Sequence, residues 1–78
     1  MIEVFRTNVT DKHQADLIVE KIHSIFYHYT ANFDLADCDN ILRIKSSNNN
    51  IQSSEVIDIL KEAGFSAEVL EETLYTVL

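Results

Sequence analysis

The chain is predicted to fold as an α+β sandwich, with a four-stranded antiparallel sheet and two helices on one of its faces. Three observations predict it. Strand-like and helix-like periodicities alternate in the order βαββαβ. Two stretches carry a continuous apolar stripe at helical spacing. The 78 residues are enough for one domain and no more. With 46% apolar and 24% charged residues, the composition is that of an ordinary globular protein. There is no proline and a single glycine, so the turns fall largely to Asn, Asp and Ser.

Ile2 to Val9 mixes β-branched, aromatic and polar residues and is read as a half-buried strand. Its alternation is imperfect: Ile2 and Val4 share one face, and Phe5, Thr7 and Val9 the other. Asp11 follows as an N-cap, with Gln14 at the third helical position of a capping box. Ala15, Ile18, Val19, Ile22, Ile25 and Phe26 then form one apolar stripe, with Leu17 off it and partly exposed.

Tyr29 to Leu35 alternates again, placing Ala31, Phe33 and Leu35 on one face. Asp37, Cys38, Asp39 and Asn40 form a turn cluster, and Ile41 to Lys45 returns as the second arm of a hairpin. After a polar loop, Ser53 or Ser54 is expected to cap a second helix whose stripe is Val56, Ile59, Leu60 and Ala63. Gly64 stands where a left-handed residue stops a helix, and Phe65 is placed to fold back on Leu60. Ala67 to Leu70 is a short last strand. The domain is taken to span residues 1–72, and residues 73–78 form an apolar tail.

Two such split βαβ units make a ferredoxin-like fold. Right-handed crossovers put its strands in the order 4-1-3-2. The loop entering the first helix, the hairpin turn with Cys38 and the Gly64–Phe65 turn then share one end of the domain.

With this topology and length, the chain resembles the heavy-metal-associated (HMA) domain of copper chaperones and metal-transporting ATPases over about residues 2–70. The resemblance is carried by the strand–loop–helix start, by Ile18 and Ile22, by Asn40–Ile44, and best by Ile51 through Phe65, which ends Glu62-Ala63-Gly64-Phe65. In that family a Cys-x-x-Cys motif at the first helix binds the metal. Matching Ile18 and Ile22 to the family's buried helix positions puts Asp11 and Gln14 at the two cysteine sites. Monovalent copper wants thiolates, so a carboxylate and an amide are poor substitutes. The resemblance implies the architecture without the metal residues.

Composition and motifs narrow the function classes. A net charge of −7, with six cations scattered among thirteen acids, argues against nucleic acid and against an anionic membrane surface. No apolar run approaches the roughly 20 residues that span a bilayer, and no cationic and apolar leader opens the chain. One cysteine makes no internal disulfide, so a cytoplasmic setting is expected. Cys38 between Asp37 and Asp39 is placed against thiolate formation, and His23 and His28 are spaced poorly for zinc on a helix. No serine elbow, phosphate loop or nucleotide fingerprint is present, so no enzyme and no cofactor are expected.

The expected function is that of a non-catalytic interaction or accessory module, with a protein partner or a second copy. Candidate contact residues are Phe5, together with Ile41 and Leu70, on the open sheet face, and Leu74, Tyr75, Val77 and Leu78 in the tail. One alternative is a metal-binding or metal-transfer protein that holds zinc or copper through Asp11, His13 and Cys38. Another, by fold analogy, is a small-molecule-sensing regulatory domain.

Overall fold

A computed structural model of the protein describes residues 1–35, 40–48 and 50–70. Its elements are β1 (Ile2–Thr7), α1 (Lys12–Ile25), β2 (Tyr29–Asp34), β3 (Ile41–Ser46), α2 (Ser53–Glu62) and β4 (Ala67–Val69). The sheet runs β2-β3-β1-β4 with every neighbouring pair antiparallel, which is the expected 4-1-3-2 order and a ferredoxin-like α+β fold. The expected tail, residues 73–78, lies outside the described residues. Among those that are described, no helix is long and apolar enough to cross a membrane.

One sheet face carries the core. Phe5, Leu42, Ile44, Tyr29 and Ala31 pack against Ala15, Ile18 and Ile22 of α1 and Val56, Ile59 and Leu60 of α2. Phe5 was expected on the open face and is instead fully buried, in register between Leu42 of β3 and Val69 of β4. The alternation of β1 offers apolar residues to both faces, and the helix layer takes the face with the larger side chain and with Val9. Ile2 is left on the outer face, 46% exposed.

Strand β1 ends at Thr7, two residues earlier than expected. The Thr7 hydroxyl accepts the N–H of Val9 at 3.2 Å and turns the chain while Val9 stays buried. At the start of α1, Asp11 is extended, and its Oδ2 accepts the Gln14 N–H at 2.9 Å, as the capping pattern predicts. The apolar stripe of α1 stops short of Ile25, which is 48% exposed. Phe26 closes the helix and stacks on Tyr29 with ring centroids 4.6 Å apart, so the chain leaves the helical path before Ile25 can turn inward.

The second helix differs from expectation at both ends. Its N-cap is Gln52, which makes no side-chain cap bond, while the Ser53 hydroxyl donates to Glu3 Oε1 and ties α2 to β1. Ala63, expected on the buried stripe, is the exposed C-cap. Beyond it Gly64 takes φ +92°, the Phe65 N–H reaches Leu60 O at 2.9 Å, and the Gly64 N–H reaches Lys61 O at 3.0 Å. That pair of bonds is the Schellman closure, and Phe65 packs against the core.

Two stability changes follow from these helix ends. A Cβ at Gly64 would meet no neighbour within 4 Å, so Gly64→Ala costs only backbone strain, about 1–2 kcal/mol, measurable by urea denaturation. Asp11→Ala is expected to lose about 1 kcal/mol and lower Tm by about 4–8 °C in a domain of this size, with Asp11→Asn close to wild type.

Candidate functional site

The β1–α1 loop, the start of β3 and the turn before β4 meet at one end of the domain. The Thr7 hydroxyl donates to Asn40 O at 2.7 Å, joining the end of β1 to the start of β3. Asn40 itself holds φ +49°, a left-handed conformation that Asn tolerates better than most residues. The Asn8 amide N–H donates to Ser66 O at 3.4 Å, and the Ser66 N–H donates to Asn8 Oδ1 at 2.8 Å. This mutual pair fixes the β1–α1 loop to the turn before β4.

Of the residues considered for metal, Asp11 and His13 are described, at the start of α1. Asp11 spends Oδ2 on the helix cap, and His13 is an exposed residue of the first turn. Between and beyond them, Lys12 Nζ pairs with Asp16 Oδ2 at 3.2 Å, an exposed i,i+4 contact that stabilises weakly. Cys38 lies outside the described residues. Among the described residues no group of three or more His, Cys, Asp and Glu side chains is arranged to hold a metal ion.

The expected contact residues are also redistributed. Phe5 is core. Leu74, Tyr75, Val77 and Leu78 lie outside the described residues. Register places Ile2, Val4, Arg6, Ile41, Arg43 and Lys45 on the sheet face away from the helices. Ile41 is only 6% exposed there and stands apart from the helix-side core, between Arg6 and Asp34 in register. Leu70 is partly buried, and its N–H donates to Val4 O at 2.9 Å. Leu17 is 47% exposed, off the stripe as predicted, beside a groove of about 380 Å³ between the two helices.

A feature missed from the sequence is the edge formed by β2 and α1. β2 is a terminal strand of the sheet. The Tyr29 N–H donates to Phe26 O at 3.0 Å and the Ala31 N–H donates to His23 Nε2 at 3.0 Å, so these amides point away from β3. By strand alternation Phe33 faces outward in the same way, and no partner for its N–H is present among the described residues. Its side chain, with Ala15, Val19 and Leu35, lines a groove of about 650 Å³ between β2 and the first turns of α1.

The sequence held a signal for this edge. His23 follows Ala15 and Val19 at successive intervals of four, which puts all three on the helix row that runs past β2. Read only as one of two badly spaced zinc ligands, His23 looks like a solvated residue. Its partner is a backbone amide on the outer edge of β2, a strand that the order 4-1-3-2 places at the end of the sheet.

No protein-family model matches this chain, and no curated protein matches it. Among solved structures, the yeast copper transporter domain Ccc2a, determined in its apo and Cu(I)-loaded states, is similar with a TM-score of 0.73 and 14% sequence identity. The match covers 90% of this chain and 94% of that domain. At that identity the likeness is one of fold: this chain has the ferredoxin-like architecture seen in a copper-transporter domain.

Proposed function

We propose that this protein is a non-catalytic interaction module built on the heavy-metal-associated plan, in which the start of α1 has been turned from metal capture to helix capping. The observation that carries this reading is the 2.9 Å bond from the Gln14 N–H to Asp11 Oδ2. In the resemblance drawn from the sequence, these two residues stand at the metal-binding thiol positions. The chain has one cysteine in all, and it lies more than twenty residues further along. A carboxylate already accepting a backbone N–H, with an amide beside it, is a poor ligand set for a soft monovalent ion.

What the domain retains is surface suited to other chains. The β2 edge keeps an outward amide beside an apolar groove, and the sequence closes on Leu74-Tyr75-Thr76-Val77-Leu78. Edge strands and apolar tails are two common routes to protein contact. The competing reading is metal transfer through Asp11, His13 and Cys38. It is favoured by the likeness to a domain solved with Cu(I) bound.

Calorimetric titration with Zn²⁺ and with Cu(I) separates the two. The interaction reading expects no saturable binding at either ion. Saturable binding that disappears in Cys38→Ala or His13→Ala overturns it in favour of metal transfer. In parallel, the interaction reading expects a defined protein partner or self-association that survives metal chelation. A chain that remains monomeric and captures no partner reproducibly, with or without residues 73–78, counts against it.

A further inference from the structure

We propose that the outer face of the sheet is the docking surface for the chain's own C-terminal segment. Leu74, Tyr75, Val77 and Leu78 fold back over a strip formed by Ile2, Val4 and Leu70. This goes beyond the interaction reading above and stands or falls apart from it. The face lies opposite the helix layer, and register sets its composition. Across β1 and β3, Val4 is paired with Arg43 and Ile2 with Lys45, while Leu70 donates its N–H to Val4 O from the other side. Ile2 is 46% exposed, and Val4 and Leu70 are half-buried. An apolar strip therefore runs along β1 with two exposed cations beside it.

Position and length commit this strip to the segment that follows Leu70. Because β4 runs antiparallel to β1, the chain passes Val4 at Leu70 while heading towards the level of Ile2. The sequence supplies eight residues after Leu70, which reach about 26 Å when extended. From β4 to β2 the sheet is three strand spacings wide, about 14 Å. A segment joined directly to the face meets it at an effective concentration on the order of mM. A second copy at μM concentration does not match that.

Charge selects the same face. Arg6, Arg43 and Lys45 place three of the chain's six Lys and Arg residues on it. Arg6 pairs with Glu68 at 2.8 Å, while no acid pairs with Arg43 or Lys45 among the described residues. The segment opens with Glu71-Glu72 and then turns apolar. The helix layer offers it no such match: Glu55, Asp58 and Glu62, exposed at i, i+3 and i+7, form an acidic ridge along α2. An acidic, then apolar segment finds its complement on the outer face, where cations flank an apolar strip. Face and tail cover each other, and a protein partner reaches either only by displacing the pair.

The chain has no Trp, so Tyr75→Trp in the full chain gives a single fluorescent reporter. Its emission is expected to be blue-shifted relative to a free peptide of residues 71–78 carrying the same substitution. The shift should hold unchanged from about 1 μM to about 100 μM, a range over which weak self-association would alter it. Added to the reporter, Arg43→Glu and Lys45→Glu each reverse a cation beside the strip and are expected to move the emission back towards that of the peptide. Lys61→Glu on α2 changes the net charge equally and should leave the shift intact. All three sites are exposed, and a thermal melt verifies that each variant is folded. Emission equal to that of the free peptide overturns the proposal. So does a shift that appears only at the upper concentrations, which marks a second copy. A concentration-independent shift that neither Arg43→Glu nor Lys45→Glu reduces overturns it as well, because the segment is then buried elsewhere. Each of these failures leaves the interaction reading to its own tests, partner capture and metal titration.

Discussion

Phe5 sits on the interior strand β1, between Leu42 of β3 and Val69 of β4, with no surface left to solvent. Both helices close over the face it marks. A chain of 78 residues buries only roughly 60% of the surface its unfolded form exposes, so its stability is a small surplus. In such a protein one core phenylalanine, whose truncation costs about 3–5 kcal/mol, accounts for a large part of a total of about 5–15 kcal/mol. The choice of face for Phe5 sets the inside of every strand in the sheet, because a strand shifted by one residue would turn all its side chains over.

From that choice the ends of the domain follow. With the β1 face settled, Thr7 faces inward, and its hydroxyl both turns the chain at Val9 and bonds Asn40 O. The loop is thereby held short, and α1 must begin at Lys12 with Asp11 as its cap. Glu3, on the same inward row, reaches Ser53 and anchors α2. The start of α1 is thus built into the frame. Its carboxylate completes a bond that the first turn of the helix needs.

The edges tell a complementary story. A ferredoxin-like sheet of this order leaves β2 and β4 as terminal strands, and exposed edges invite further pairing. Here the Tyr29 and Ala31 amides of β2 are closed from within, by Phe26 O and by the imidazole of His23, beside a groove that Val19, Phe33 and Leu35 line together with Lys12, Asp16 and Arg43.

Period and punctuation were legible in the residues alone. Alternation and the i, i+3, i+4 stripe located six elements, Asp11 and Gln14 announced the first helix, and Gly64 with Phe65 announced the end of the second. These are local signals: a cap or a left-handed stop is decided by bonds within a few residues, so the sequence by itself determines them. It did not determine the inward face of β1, because Phe5 and Val4 are both apolar and a period of two says nothing about which side the helices cover. Nor did it determine that Ser53 would bond Glu3, fifty residues away, or that His23 would hold an amide of β2. Those outcomes depend on which elements become neighbours. Only the packed tertiary structure decides that, since it is the burial of one shared face that brings distant residues within bonding distance.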